Sequence, residues 1–88
     1  MNTHRRTQLD SAIAELSAVK DSIEQIRLNI ESVRDEEQDS FDNLPEGLQE
    51  AEKGEKMNEA VSQLEDACNQ LELIDFDEVI SCIEIAKE

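Results

Sequence analysis

From Leu9 to Val33 the apolar residues recur at alternating steps of three and four, and this rhythm constrains the chain more than any other feature. Leu9, Leu16, Ile23 and Ile30 fall at one heptad position, a, and Ala12, Val19, Ile26 and Val33 at another, d. A strand repeats every two residues, so this spacing specifies a long α-helix with an apolar seam. The seam predicts a helix over residues 7–41, about 50 Å long at 1.5 Å per residue. Thr7 followed by Asp10 resembles a capping pair, and residues 1–6 before it are expected to fray.

Asp42-Asn43-Leu44-Pro45-Glu46-Gly47 is the one strong turn signal. Proline disfavours helix in the residue before it and suits the first turn of a new one. A turn is therefore expected at 42–46 and a second helix at 47–74, where Met57, Val61, Leu64, Cys68 and Leu71 renew the heptad rhythm. Gly54 interrupts its early part, at about 1 kcal/mol relative to alanine in a helix interior, so a bend is allowed there. Continuing that seam would place Asp75 and Glu78 in the core, so a break is expected near Asp75. A short third helix over 75–87 then carries Phe76, Val79, Ile80, Ile83 and Ala86, with Asp75 and Glu78 as its capping pair. The expected fold is all-α: one domain over 1–88, an antiparallel, coiled-coil-like helical hairpin with a short C-terminal helix. Phe41 and Phe76 are the only aromatics, so the core must be aliphatic. So small a chain buries little on its own. Leu16, Val19, Ile23, Ile26, Ile30, Val33, Val61, Leu64 and Leu71 are accordingly read as a seam shared by the hairpin and a homodimer.

Charge sets the class of partner. With 23 acids against 8 Lys and Arg, the net charge is −15. Phosphates would be repelled, which argues against direct nucleic-acid binding and against anionic membranes, and favours a basic protein surface. No run of about 18 apolar residues is present, and no apolar stretch follows Arg5-Arg6, so no membrane span is expected and a cytoplasmic setting is. The charge is also unevenly spread. Arg5, Arg6, Lys20, Arg27 and Arg34 balance Asp10, Glu15, Asp21, Glu24 and Glu31, so residues 1–34 are neutral. The entire excess lies in residues 35–88, where Lys53, Lys56 and Lys87 are the only bases. Lys20, Arg27 and Arg34 recur every seven residues beside the seam, where they are expected to pair with acids of a neighbouring helix.

Chemistry is not encoded in any constellation. His4 stands alone near the start, with no cysteine or serine partner to activate. Cys68 and Cys82 lack the spacing of redox or zinc sites, and Cys68 is read as a small core residue. Asp75, Asp77 and Glu78 lack the glycine and the distal glutamate of a calcium loop. No phosphate-binding glycine motif occurs. No enzyme, cofactor or metal is expected.

The run Asp35-Glu36-Glu37-Gln38-Asp39-Ser40-Phe41-Asp42-Asn43-Leu44-Pro45-Glu46-Gly47-Leu48-Gln49, followed by Glu52-Lys53-Gly54-Glu55, resembles a pattern in small acidic helical-hairpin proteins of tailed phages and prophages, mostly of unassigned function. The pattern covers about a quarter of the chain. It implies a helix-turn-helix hairpin and a mobile-element setting, and supplies no catalytic residues. Small size, negative density and this resemblance together suggest a protein that occupies the nucleic-acid groove of a host restriction or CRISPR effector as a DNA mimic. The expected contact residues are Glu31, Asp35, Glu36, Glu37, Asp39, Asp42 and Glu46 on the first helix and turn, with Glu52, Glu55, Glu59 and Asp66 on the second. The other reading is a structural or adaptor coiled coil whose acidity serves only solubility.

Overall fold

The computed structural model describes residues 1–88, which form four helices and no strand: α1 (Thr3–Asp42), α2 (Glu46–Gln49), α3 (Glu52–Glu72) and α4 (Phe76–Lys87). The molecule is a rod of 68 × 15 × 13 Å. Its radius of gyration is 20.4 Å, against about 12 Å for a compact domain of this length.

α1 runs nearly the whole length of the rod. It begins earlier than the seam implies, because the Asn2 side chain accepts a hydrogen bond from the Arg5 amide at 2.8 Å and caps the first turn. The stretch expected to fray is therefore helical from Thr3, and Thr7 is an interior residue whose hydroxyl donates to the Thr3 carbonyl at 3.0 Å. The cap is an asparagine outside the apolar pattern, so periodicity could not reveal it.

α3 and α4 return along α1 end to end. Their contacts fall in reverse order of residue number: Gln49 donates to the Phe41 carbonyl, Arg34 meets Glu65, Arg27 meets Glu72, Lys20 meets Asp77, and Asp10 meets Lys87. α4 starts at Phe76 because the Asp75 carboxylate accepts from the Glu78 amide at 2.9 Å. Arg6 closes the far end by donating to the Lys87 and Glu88 carbonyls.

The span expected as one helix over 47–74 is two. α2 ends at Gln49, and α3 begins after Ala51, in extended backbone. Gly54 sits inside the first turn of α3, past the break instead of at it, and it is buried. A Cβ there would run into the backbone of Gln49, reaching its carbonyl carbon at 2.6 Å and its Cα at 2.7 Å. Glycine is thus required for the close approach of α2 to α3, which is a packing role and not a hinge.

The seam is also rolled from where the spacing alone puts it. Leu9, Leu16, Ile23 and Ile30 are half-buried toward the returning helices. Val19, Ile26 and Val33 are not: they are 47, 47 and 53 % exposed. The row facing inward beside a is instead e, which holds Ile13, Arg27, Arg34 and Phe41. Arginine can cover apolar surface with its stem while its head reaches a carboxylate, and α3 offers Glu65 and Glu72 on that side. One returning arm cannot cover a, d and e together, and the ion pairs favour e. Val61, Leu64 and Leu71 of α3 face the seam as expected, yet only Val61, Cys68 and Gly54 in the whole chain are buried.

Candidate functional site

The acid-rich end of the rod is built from the last two turns of α1, the Asn43-Leu44-Pro45 connection, α2 and the first half of α3. Its sequence lies over the best-packed part of the molecule, since the only buried residues are on α3. Packing there holds like charges together that would otherwise move apart.

The expected contact residues divide by what they touch. Glu31 is engaged by Arg27 at 2.8 Å and by Arg34 at 3.9 Å, and Asp35 by Arg34 at 2.7 Å. Both are paired with arginines of α1 itself. Glu52 pairs with Lys56 at 3.1 Å. Glu36, Asp39, Asp42, Glu46, Glu55, Glu59 and Asp66 are exposed and have no cation partner; Asp42 accepts only from the Gln38 amide at 3.0 Å. Glu37 is half-buried at a shallow groove of about 490 Å³, shared with Glu52, Lys53, Lys56, Met57 and Ala60. Glu50 was not among the expected residues. It lies exposed at the junction of α2 and α3, and its only signal is membership of the same acidic run.

The rows do not form one flat ridge. Glu52, Glu55, Glu59 and Asp66 share the face of α3 opposite its seam, by spacings of three, four and seven. On α1, Asp35, Asp39 and Asp42 also lie away from the seam. Because the two helices face each other, their outer faces point in opposite directions, and the negative charge surrounds the end of the rod.

The other half of the electrostatics is internal. Arg27 donates to both oxygens of Glu24, at 3.2 and 2.6 Å, to Glu31, and lies 3.3 Å from Glu72. These hydrogen bonds hold the Glu24 carboxyl below the usual carboxylate range and raise the Arg27 guanidinium above its own. Arg34 is raised likewise, first by its hydrogen bond to Asp35. Lys20 donates to Asp77 at 2.7 Å, and that contact raises its ammonium above 10.5. The regular Lys20, Arg27 and Arg34 row thus pairs with acids of the returning helices, as its position beside the seam led us to expect.

Cys68 is buried, its thiol 3.7 Å from the Arg27 carbonyl, and Cys82 is exposed; both are free. No group of side chains is placed to hold a metal ion. No helix is long and apolar enough to cross a membrane. Compared with protein-family models, with curated proteins and with solved structures, the chain matches none.

Proposed function

We propose that this chain is a non-enzymatic, phage-type acidic protein that inhibits a host nucleic-acid-binding defence protein by occupying its basic groove as a DNA mimic. One observation carries the reading: the densest run of carboxylates without cation partners lies at one end of a narrow, stiff rod. From Asp35 to Glu59 there are ten carboxylates against Lys53 and Lys56. They occupy roughly 20 Å of the rod, judged from the rise of α1 and α3. That is about one net charge per 2.5 Å, of the same order as the one per roughly 1.7 Å of duplex DNA. Charge on opposite sides of a rod also resembles the two backbones of a duplex more than a single ridge would. The hairpin supplies stiffness, so little ordering entropy is lost on binding. A second copy of the chain and a basic target are the two partners of this reading, in the cytoplasm of an infected cell.

The test is competition. The protein should displace duplex DNA from a restriction or CRISPR effector, with an apparent affinity that falls steeply with added salt. Reversing Glu36, Asp39 and Asp42 to lysine should abolish competition while leaving the helical circular-dichroism signal intact. If no effector in a panel loses DNA to the protein at low salt, or if the reversed variant competes equally well, the mimic reading fails.

The adaptor reading has one observation of its own, the exposed d row of α1. If it holds, partner binding tolerates salt and is unaffected by the same reversals.

A further inference from the structure

We infer that a second copy of this chain covers the d row of α1, with the two α1 helices antiparallel and crossing at Ile26. The inference deepens the homodimeric part of the proposed function and is independent of the mimicry.

Three observations meet on this face. The first is area. The chain exposes 6379 Å², whereas a folded monomer of 10.0 kDa exposes about 5,200 Å². The excess of about 1,100 Å² is of the size that one partner loses in a standard interface, about 800 Å².

The second is chemistry. Val19, Ile26 and Val33 lie half-exposed in a row. Each precedes by one residue a member of the Lys20, Arg27 and Arg34 row, so it sits about 100° round the helix from the ion pairs. On one side the row borders the seam residues Leu16, Ile23 and Ile30, and on the other it is flanked by Ser22, Asn29, Gln25 and Ser32, which are small or neutral, with Gln25 hydrogen-bonded to Asn29 at 3.3 Å. In a chain of which 35 % is charged, this stretch of surface has no charge.

The third is placement. Residues 1–34 are neutral, and the rest carries the whole −15. Two copies repel wherever residues 35–88 approach one another, so the uncharged row is where they can meet. A basic partner would choose the acidic end, and an acidic one would be repelled by it. The row is symmetric about Ile26, with Val19 and Val33 seven residues on either side, as an isologous contact requires. Antiparallel pairing sets Val19 against Val33 of the second copy and sends the two acidic ends to opposite ends of the assembly. The closest like charges across this interface are Glu15 of one copy and Glu37 of the other, just beyond the row, with Glu36 beside them. Association should therefore strengthen with salt, opposite to binding of a basic target.

Site-directed cross-linking tests this. In a Cys82→Ser background, with Cys68 buried, Ile26→Cys treated with diamide should give a disulfide-linked dimer in high yield. Leu28→Cys is equally exposed, at 46 %, but about 200° round the helix, and should remain monomeric on denaturing gels. Val19→Cys should cross-link poorly alone and well when mixed with Val33→Cys. Sedimentation velocity of the unmodified chain should give twice the monomer mass, and Ile26→Asp should give the monomer mass with its helix signal retained. A monomer mass for the unmodified chain at high concentration overturns the inference, as does cross-linking through Leu28→Cys equal to that through Ile26→Cys. Self-linking of Val19→Cys better than its mixture with Val33→Cys overturns the antiparallel arrangement. DNA competition is read separately: its loss with the dimer intact sinks the mimicry alone, and a monomer that competes sinks this inference alone.

Discussion

The two ends of the rod are built on opposite principles. The α1–α3 end carries most of the unpaired acid, yet it holds the only buried side chains, Val61 and Cys68, and the glycine-mediated contact of α2 with α3. The α1–α4 end is less densely charged, a net-negative α4 against a neutral stretch of α1, and it holds no buried residue; it is closed by polar contacts, Lys20 with Asp77, Lys87 with Asp10 and Arg6 with the last carbonyls. The difference teaches where apolar packing is needed. Where like charges crowd most densely, burial offsets repulsion; where they are sparser, exposed ion pairs suffice to align a helix.

The largest contrast should come from placing a charge in each end. Val61→Asp puts a carboxylate in the dry seam, where an unpaired charge costs on the order of several kcal/mol. Thermal unfolding monitored by circular dichroism should show the α1–α3 pairing lost at all temperatures. Val79→Asp, at a position 48 % exposed on α4, should move the midpoint by only a degree or two. Comparable losses at both positions would erase the distinction between the ends.

Glycine substitutions come next. Gly54→Ala forces the Gln49 backbone to move and should cost about 1–3 kcal/mol, the range for overpacking. Gly47 has open space around it, so Gly47→Ala should be neutral or stabilise by up to about 1 kcal/mol. If chemical denaturation ranks them the other way, the close approach of α2 to α3 is not what holds the acidic end.

Removing cations tests the internal pairs. Arg27→Gln leaves Glu24, Glu31 and Glu72 facing each other and should lower the thermal midpoint more than Lys20→Gln, which frees Asp77 alone. A larger loss from Lys20→Gln would show that the α1–α4 end governs stability.

The smallest effect is that of pH. The Glu24 carboxyl is depressed in the folded chain, so its contribution is present above the ordinary carboxylate range and is lost only as pH falls through its lowered value. Lys20 is raised, so its contribution is complete below the ordinary lysine value and is lost only at higher pH. Neither loses stability between pH 7 and about 5, an interval over which the chain approaches its sequence pI of about 4.2 and its net repulsion falls. The midpoint should therefore hold or rise slightly across that interval. A fall would mean that the acids at the α1–α3 end make specific stabilising contacts when charged.

Much of this was legible in the residues alone. Helix was dictated by steps of three and four from Leu9 to Val33 and again from Met57 to Leu71, and the stop before Phe76 by the phase of Asp75 and Glu78. The charge division is a matter of counting. The acids of the candidate interface stand as a run in the sequence, but which of them are paired does not, because Glu31 and Asp35 take up Arg27 and Arg34 while Glu36 and Asp39 do not. Pairing depends on which side chains the fold brings within 4 Å.

What the sequence determined by itself is local: the helices, the aliphatic character of the seam, the turn at Pro45 and the gathering of negative charge beyond residue 34. These follow from backbone geometry and from charges that are present whatever the fold. What only the tertiary structure decided is the roll of α1 about its own axis. A heptad stripe is broad enough for a, d and e to compete for one neighbour, and the choice belongs to contacts made across the chain. Arg27 and Arg34 found Glu72 and Glu65 on α3, turning the helix toward e. The same rotation left Val19, Ile26 and Val33 in water, because a single returning arm can cover only part of so wide a stripe.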